Sequence, residues 1–287
     1  MPKPRRPLFH YTSIQGLIGI LTDRKIWATN ISHLNDKQEL FQARDIFREA
    51  VQELEKTIDP GPAYAIRPRD YKENPKITFL NTLNSLLDLA QELPIFVCSF
   101  SEEGDQLSQW RGYSQNGYGF SVGFAYTKLE KHAERQKFIL KKCIYKKKQQ
   151  QKVINGFIES EILPTLTNLG EIRLSPNDVM KIFEKILQLL PIIKNEHFKE
   201  EKEWRLISSP FQTLKDRIRF RPGKTVIIPY CEFELAENKK DFAVKSITIG
   251  PTPNENESLL SLKTLLNREG TSKKIKVRQS KIPYREI

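Results

Sequence analysis

Three short polar clusters stand far apart in this chain: His10-Tyr11-Thr12, Ser99-Phe100-Ser101 and Glu201-Lys202-Glu203-Trp204-Arg205. A histidine beside a tyrosine and a threonine offers hydrogen bonds to a ribose or phosphate and a ring to stack on a flat one. Alternation along a strand sends the hydroxyls of Ser99 and Ser101 to one face and the phenyl of Phe100 to the other. Glu201 and Glu203, two residues apart, reach the same side if they lie on a strand. One carboxylate then stabilises positive charge on a sugar whose glycosidic bond is breaking, while its neighbour positions or deprotonates an acceptor. Trp110, Arg111 and Tyr113 add two stacking surfaces and a guanidinium suited to a nucleobase or phosphate. Each cluster also has a structural reading: a core histidine, serines that satisfy backbone groups, aromatic plugs, or a charged strand edge.

Other chemistries find less support. No G-x-S-x-G elbow surrounds the serines, which disfavours a serine hydrolase. His10, His33, His132 and His197 lack the H-E-x-x-H spacing that puts two ligands on one helical face. Cys98, Cys143 and Cys231 are odd in number and contain no C-x-x-C pair, so buried thiols are expected and a metal is not. The run Glu200-Glu201-Lys202 satisfies the E-x-K element of metal-dependent nucleases, without a clearly placed upstream Pro-Asp partner.

A formal charge of +12 in 287 residues gives a field attractive to polyanions and makes nucleic acid a candidate partner, because Lys and Arg displace condensed counterions from phosphates; charge alone does not decide. Runs such as Lys146-Lys147-Lys148 equally serve solubility. No stretch approaches the roughly 20 apolar residues of a membrane span. The basic segment Met1 to Pro7 has no apolar core of a signal peptide, so a cytoplasmic location is expected.

The elements that must position the clusters follow from periodicity. A strand over Leu8 to Thr12 leads into a helix through Ile14, Leu17, Ile18 and Leu21, which ends near Arg24-Lys25. Asp36, preceded by Asn35 and followed by Glu39, caps a second helix that runs into the Lys56 region. A turn at Asp59-Pro60-Gly61-Pro62 separates it from a third helix over Ile77 to Leu89. Ile95 to Ser101 is a buried central strand; Tyr118 to Phe124, with Gly119 and Gly123, and Phe138 to Tyr145 are two more. The loop before Tyr118 carries Gly117. From about 150 to 198 the pattern turns helical. Short strands are expected at Trp204 to Ser208, Thr225 to Pro229, Val244 to Ile249 and Ile275 to Ser280, with a helix over Ser258 to Leu266. The chain therefore presents one α+β domain over 1–287, with a mixed, largely antiparallel sheet, flanking helices and a helical insertion at about 150–198.

Taken in order, His10-Tyr11-Thr12, Leu34-Asn35-Asp36 with Glu39, Val97 to Ser101, Trp110 with Tyr113, Phe198 with Glu201 and Glu203-Trp204-Arg205, Ile249-Gly250-Pro251, and Ser280 with Pro283-Tyr284-Arg285 make the chain resemble bacterial domain-of-unknown-function family 2971. A second resemblance is to the ADP-ribosyltransferase fold. It implies NAD as substrate, with His10, Tyr11 and Thr12 on the dinucleotide and Ser99 and Ser101 organising the pocket. Trp110 or Tyr113 would stack on the nicotinamide. Glu203 would stabilise the oxocarbenium-like transition state, Glu201 would orient the acceptor, and Arg111 and Arg205 would face that acceptor. Proteins of this kind act as toxins or phage-defence effectors on nucleic acid or protein, and a neutralising partner is then expected. The alternatives are a non-catalytic nucleic-acid-binding or sensing module and a metal-dependent nuclease.

Overall fold

The computed structural model describes residues 7–34, 37–59, 74–90, 92–114, 118–169, 175–209, 215–238 and 241–283. Asn35, Asp36, the Pro60-Gly61-Pro62 turn, Gly117 and Tyr284-Arg285 lie outside the described residues, as does the side chain of Glu39. The chain divides into two compact units, one formed by Met1–Asn30, Phe96–Cys143 and Phe198–Ile287, the other by Ile31–Ile95 and Ile144–His197.

The first unit holds the sheet. Its strands are β1 (Leu8–Thr12), β2 (Lys25–Asn30), β3 (Phe96–Ser101), β4 (Phe120–Phe124), β5 (Phe138–Lys142), β6 (Glu203–Ser208), β7 (Ile218–Pro222), β8 (Ile227–Glu234), β9 (Val244–Ile249) and β10 (Lys276–Gln279). They run in the order β10-β9-β4-β1-β3-β2-β8-β7, with β6 also on β3 and β5 on β6. The β9–β10 pair is parallel; the other described pairs are antiparallel. The α+β class and the mostly antiparallel sheet expected from the sequence are thus present.

β3 organises the sheet. Its five residues Val97 to Ser101 face Ile207 to Glu203 of β6 along one edge. The other edge is divided: β1 places Phe9 opposite Ser101, and β2 places Thr29 and Asn30 opposite Val97 and Phe96. Between those contacts β1 and β2 part, β1 going to β4 and β2 to β8.

Alternation sorts the side chains. Leu8, Cys98, Phe100, Val122, Phe124, Trp204, Leu206, Ile247 and Ile249 face a shared apolar core. That core is closed by helices α1 (Ile14–Asp23), through Leu17, Ile20 and Leu21, α5 (Tyr126–Arg135), through Leu129 and Ala133, and α9 (Glu255–Arg268), through Leu262 and Leu266. Burial of these apolar faces is what holds helices of this length, which are marginal by propensity alone. The hydroxyl of Ser13 accepts from the Gly16 amide and caps α1, while Arg24 turns left-handed (φ 54°) to end it. On the opposite sheet face, Phe9 and Tyr11 receive Trp110 from α4 (Leu107–Tyr113).

The second unit is helical: α2 (Lys37–Glu55), α3 (Pro75–Leu89), α6 (Lys147–Phe157), α7 (Leu163–Asn168) and α8 (Pro176–Leu189), with a π-helical stretch at Ile158–Ile162 joining α6 to α7. Phe47 of α2 meets Phe157 of α6 edge-on, with centroids 5.8 Å apart. The side-chain amide of Gln150 donates to the carbonyls of Ile144 and Lys194, both at 2.8 Å, and so ties the two ends of the second segment together. No described helix is long and apolar enough to cross a membrane.

Candidate functional site

Neighbouring strands gather the three clusters. β1 carries His10, β3 carries Ser99 and Ser101, and β6 carries Glu203 and Arg205, with β3 in the middle. The antiparallel register sets Ser101 opposite Glu203 and Ser99 opposite Arg205, so these four residues share one face.

Glu203 and Arg205 are buried together, each about 4% exposed. Arg205 Nε donates to Glu203 Oε1 at 2.8 Å and Nη2 donates to Oε2 at 3.2 Å, a two-point pairing that fixes the carboxylate plane. Arg205, expected to face an acceptor, is instead turned onto this carboxylate. The reason is electrostatic: a carboxylate removed from water on an otherwise hydroxyl-bearing face requires a counter-charge.

The expected strand relation between Glu201 and Glu203 does not hold. Glu201 ends a 3₁₀ turn, and Lys202, with φ at 45°, stands in the left-handed region between them. Strand alternation therefore does not relate the two acids. Glu201 is held otherwise: its carbonyl accepts from Ser101 Oγ at 2.7 Å, and its carboxylate accepts from the Tyr113 hydroxyl at 3.3 Å. Ser101 Oγ also accepts from the Glu103 amide at 3.0 Å. Ser101 is thus a backbone clamp between the end of β3 and the start of β6.

His10 reaches the site from the other side. Its ring is tilted against Phe100, with centroids 5.9 Å apart, and Nδ1 lies 2.9 Å from the Ser99 carbonyl, donating to it, and 3.8 Å from Cys98 Sγ. Leu8, two residues before it, belongs to the apolar core, as do Cys98 and Phe100. His10 therefore occupies the parting between β1 and β2 and faces away from the Glu203 carboxylate. Burial lowers its pKa below 6.5, against the opposing pull of the Ser99 carbonyl, which favours the neutral ring at neutral pH.

Tyr11 and Trp110 pack edge-on with centroids 4.7 Å apart. Trp110 is fully buried and donates through Nε1 to Asp105 at 2.9 Å; the Tyr11 hydroxyl donates to the Glu103 carbonyl and accepts from the Gln106 amide. Trp110 thus takes the core position, whereas Tyr113 and Arg111 are exposed. Thr12 ends β1 opposite Phe120.

Beyond the end of β3, Glu102 accepts from Lys142 Nζ at 2.7 Å and from Trp204 Nε1 at 2.8 Å. Burial raises its pKa, but these two bonds outweigh it and hold the carboxyl below its ordinary value. Glu102 begins one wall of a cleft of about 810 Å³ that also includes Glu103, Asp105, Phe9, Ser246, Thr248 and the cations Lys245, Lys274, Lys276, Arg278 and Lys281. The sequence expectation missed this cleft. Its floor depends on two glycines: a Cβ at Gly104 would fall 2.5 Å from Phe9 Cε1, and one at Gly123 would fall 2.4 Å from Ser246 Oγ.

Among the described residues, His132, Glu237 and Asp241 are close enough to hold a metal, their ligand atoms lying within 4.8 Å of one another. Lys128 and Lys131 approach Asp241 to 3.5 and 3.8 Å, and Arg135 approaches Glu237 to 3.4 Å. Those cations already supply the positive charge an ion would bring.

Residues 109–206 match the family model described as protein of unknown function (DUF2971). The matched segment runs from α4 to β6 and contains Trp110, Tyr113, Glu201, Glu203 and Arg205, so the resemblance read from the motifs is borne out there. No curated protein and no solved structure matches the chain.

Proposed function

We propose that this chain handles NAD: it transfers ADP-ribose to an acceptor or hydrolyses the nicotinamide glycosidic bond. The supporting observation is the juxtaposition of β1, β3 and β6, which sets Ser101 opposite Glu203 and brings His10 to the Ser99 carbonyl. The second and third clusters thus share one face of β3 and β6, and His10 braces the same strand from its other face.

In this reading the Arg205 fork fixes the Glu203 carboxylate beside the ribose, where it stabilises the oxocarbenium-like charge as neutral nicotinamide departs. Glu201, held by Ser101 and Tyr113, orients water or the acceptor hydroxyl. Ser99 contacts the dinucleotide on the same face. His10 acts from behind the strand as a positioning residue, since its ring nitrogen holds the Ser99 carbonyl. Its neutral state suits that role, because no charge is then placed behind the site.

Nicotinamide release from NAD, followed by chromatography with and without candidate acceptors, tests the reading. Turnover is expected in the parent protein and is expected to fall by at least about a hundredfold in Glu203→Gln, the order lost with one transition-state electrostatic contact. Because Glu203 also neutralises Arg205, circular dichroism and NAD binding by calorimetry accompany the variant; retained fold and binding with lost turnover support the role. Absence of both NAD binding and turnover in the parent protein overturns it.

A further inference from the structure

The cleft beside β10 carries more positive charge than its own acids can use. Its three acidic residues are satisfied within the fold: Glu102 by Lys142 and Trp204, Glu103 by Lys202 at 2.6 Å, and Asp105 by Trp110 Nε1, Ser280 Oγ and the Lys281 amide. None of the partner side chains on Glu102 and Glu103 is a cation of the cleft. Lys245, Lys274, Lys276, Arg278 and Lys281 make no ion pair among the described residues. Five unpaired like charges around one concavity repel one another, and a bound polyanion relieves that repulsion.

The arrangement is ordered. Lys276 and Arg278 alternate with Val277 on edge strand β10, opposite Ser246 and Thr248 of β9. They therefore project to one side at the two-residue spacing of a strand, roughly 6.6 Å, beside hydroxyls that can donate to phosphate oxygens. Lys245 and Lys274 extend the row on one flank and Lys281 on the other.

We propose that this cleft binds the sugar–phosphate backbone of single-stranded nucleic acid. A recess admits a flexible strand, whereas duplex DNA, with a persistence length of about 50 nm, presents a stiff convex surface to it. Cations spread from Lys245 along the stretch Lys274 to Lys281 fit successive phosphates better than the single phosphate cluster of a mononucleotide. The proposal is independent of the NAD reading, since strand binding is measured without dinucleotide.

The test is fluorescence anisotropy of a short labelled oligo-dT strand titrated with the full chain at several salt concentrations. The slope of log K against log salt is expected near about −3.5, from roughly 0.7 counterions released per phosphate at five contacts. Lys276→Ala/Arg278→Ala should reduce the slope by about 1.4 and weaken binding at least about tenfold at low salt. Lys146→Ala/Lys148→Ala removes the same charge elsewhere and should change neither; thermal melting verifies that both variants fold. An equal loss in both double variants, absence of strand binding at low salt, or stronger binding to duplex DNA, inorganic pyrophosphate or anionic phosphatidylserine vesicles overturns the assignment.

Discussion

His10 shows how one side chain substitutes for backbone. Where β1 and β2 part, β3 loses a neighbour, and the carbonyl of Ser99 would face an apolar core unbonded; the imidazole supplies the missing donor. The neutral ring is favoured because burial lowers the His10 pKa below 6.5. The unfolded chain therefore takes up a proton first as pH falls, and the stability associated with a neutral His10 is present above 6.5 and lost as pH drops from there through the lower folded value. Urea unfolding at pH 7.5 and 5.5 is expected to show a loss of up to about 1.4 kcal/mol per pH unit from this group. His10→Gln, which keeps a donor but cannot titrate, should show a smaller loss; an identical pH dependence in parent and variant contradicts the role. The residue was legible in the sequence as a functional candidate, but its orientation was not. Strand parity puts it on the sheet face away from Glu203 only once the register with β3 is known.

At the scale of elements, strong periodicity or composition made most of the fold legible. The strands at Leu8–Thr12, Phe96–Ser101 and Val244–Ile249 and the helices at Ile14–Asp23 and Pro75–Leu89 match expectation closely. β2 and β7 were missed because each carries cationic or polar residues among its apolar ones and is only partly buried. The charge-rich α5 buries only Tyr126, Leu129, His132 and Ala133, and α4 is barely two turns long. The cleft was invisible for a different reason: Lys245, Lys276 and Arg278 become neighbours only through the parallel pairing of β9 with β10. The basic stretch Lys273 to Lys281 is visible in the sequence, but its meeting with Lys245 is not. α4 is seated by one large anchor, Trp110, fully buried and bonded to Asp105. Trp110→Ala is expected to cost about 3–5 kcal/mol, and to free Tyr113 and so Glu201. Chemical denaturation measures the first effect and hydrogen exchange of the α4 amides the second; a cost under about 1 kcal/mol would remove Trp110 as the anchor.

Across the whole molecule, three thiols report on the integrity of the sheet unit. Cys98, Cys143 and Cys231 are all buried and unlinked by disulfides. Burial raises the Cys98 pKa strongly and pushes that of Cys231 up to about 11, so at neutral pH neither presents the reactive thiolate. Native protein is expected to resist a thiol-specific alkylating reagent at pH 7.5, with all three sites labelled once denaturant unfolds it, as counted by mass spectrometry. Rapid modification of any one of them in the native state would show that its part of the sheet opens well below the global unfolding free energy.

The left-handed Lys202 gives the molecule a built-in kink between its two late acids. A residue with a Cβ tolerates that conformation at a penalty of order 1 kcal/mol, which glycine would largely avoid. Replacing Lys202 with glycine would ease the bend yet remove the ammonium that grips Glu103, setting a gain in local comfort against the loss of a tether. A lysine here therefore binds backbone shape and charge into one position, so that neither can drift without the other.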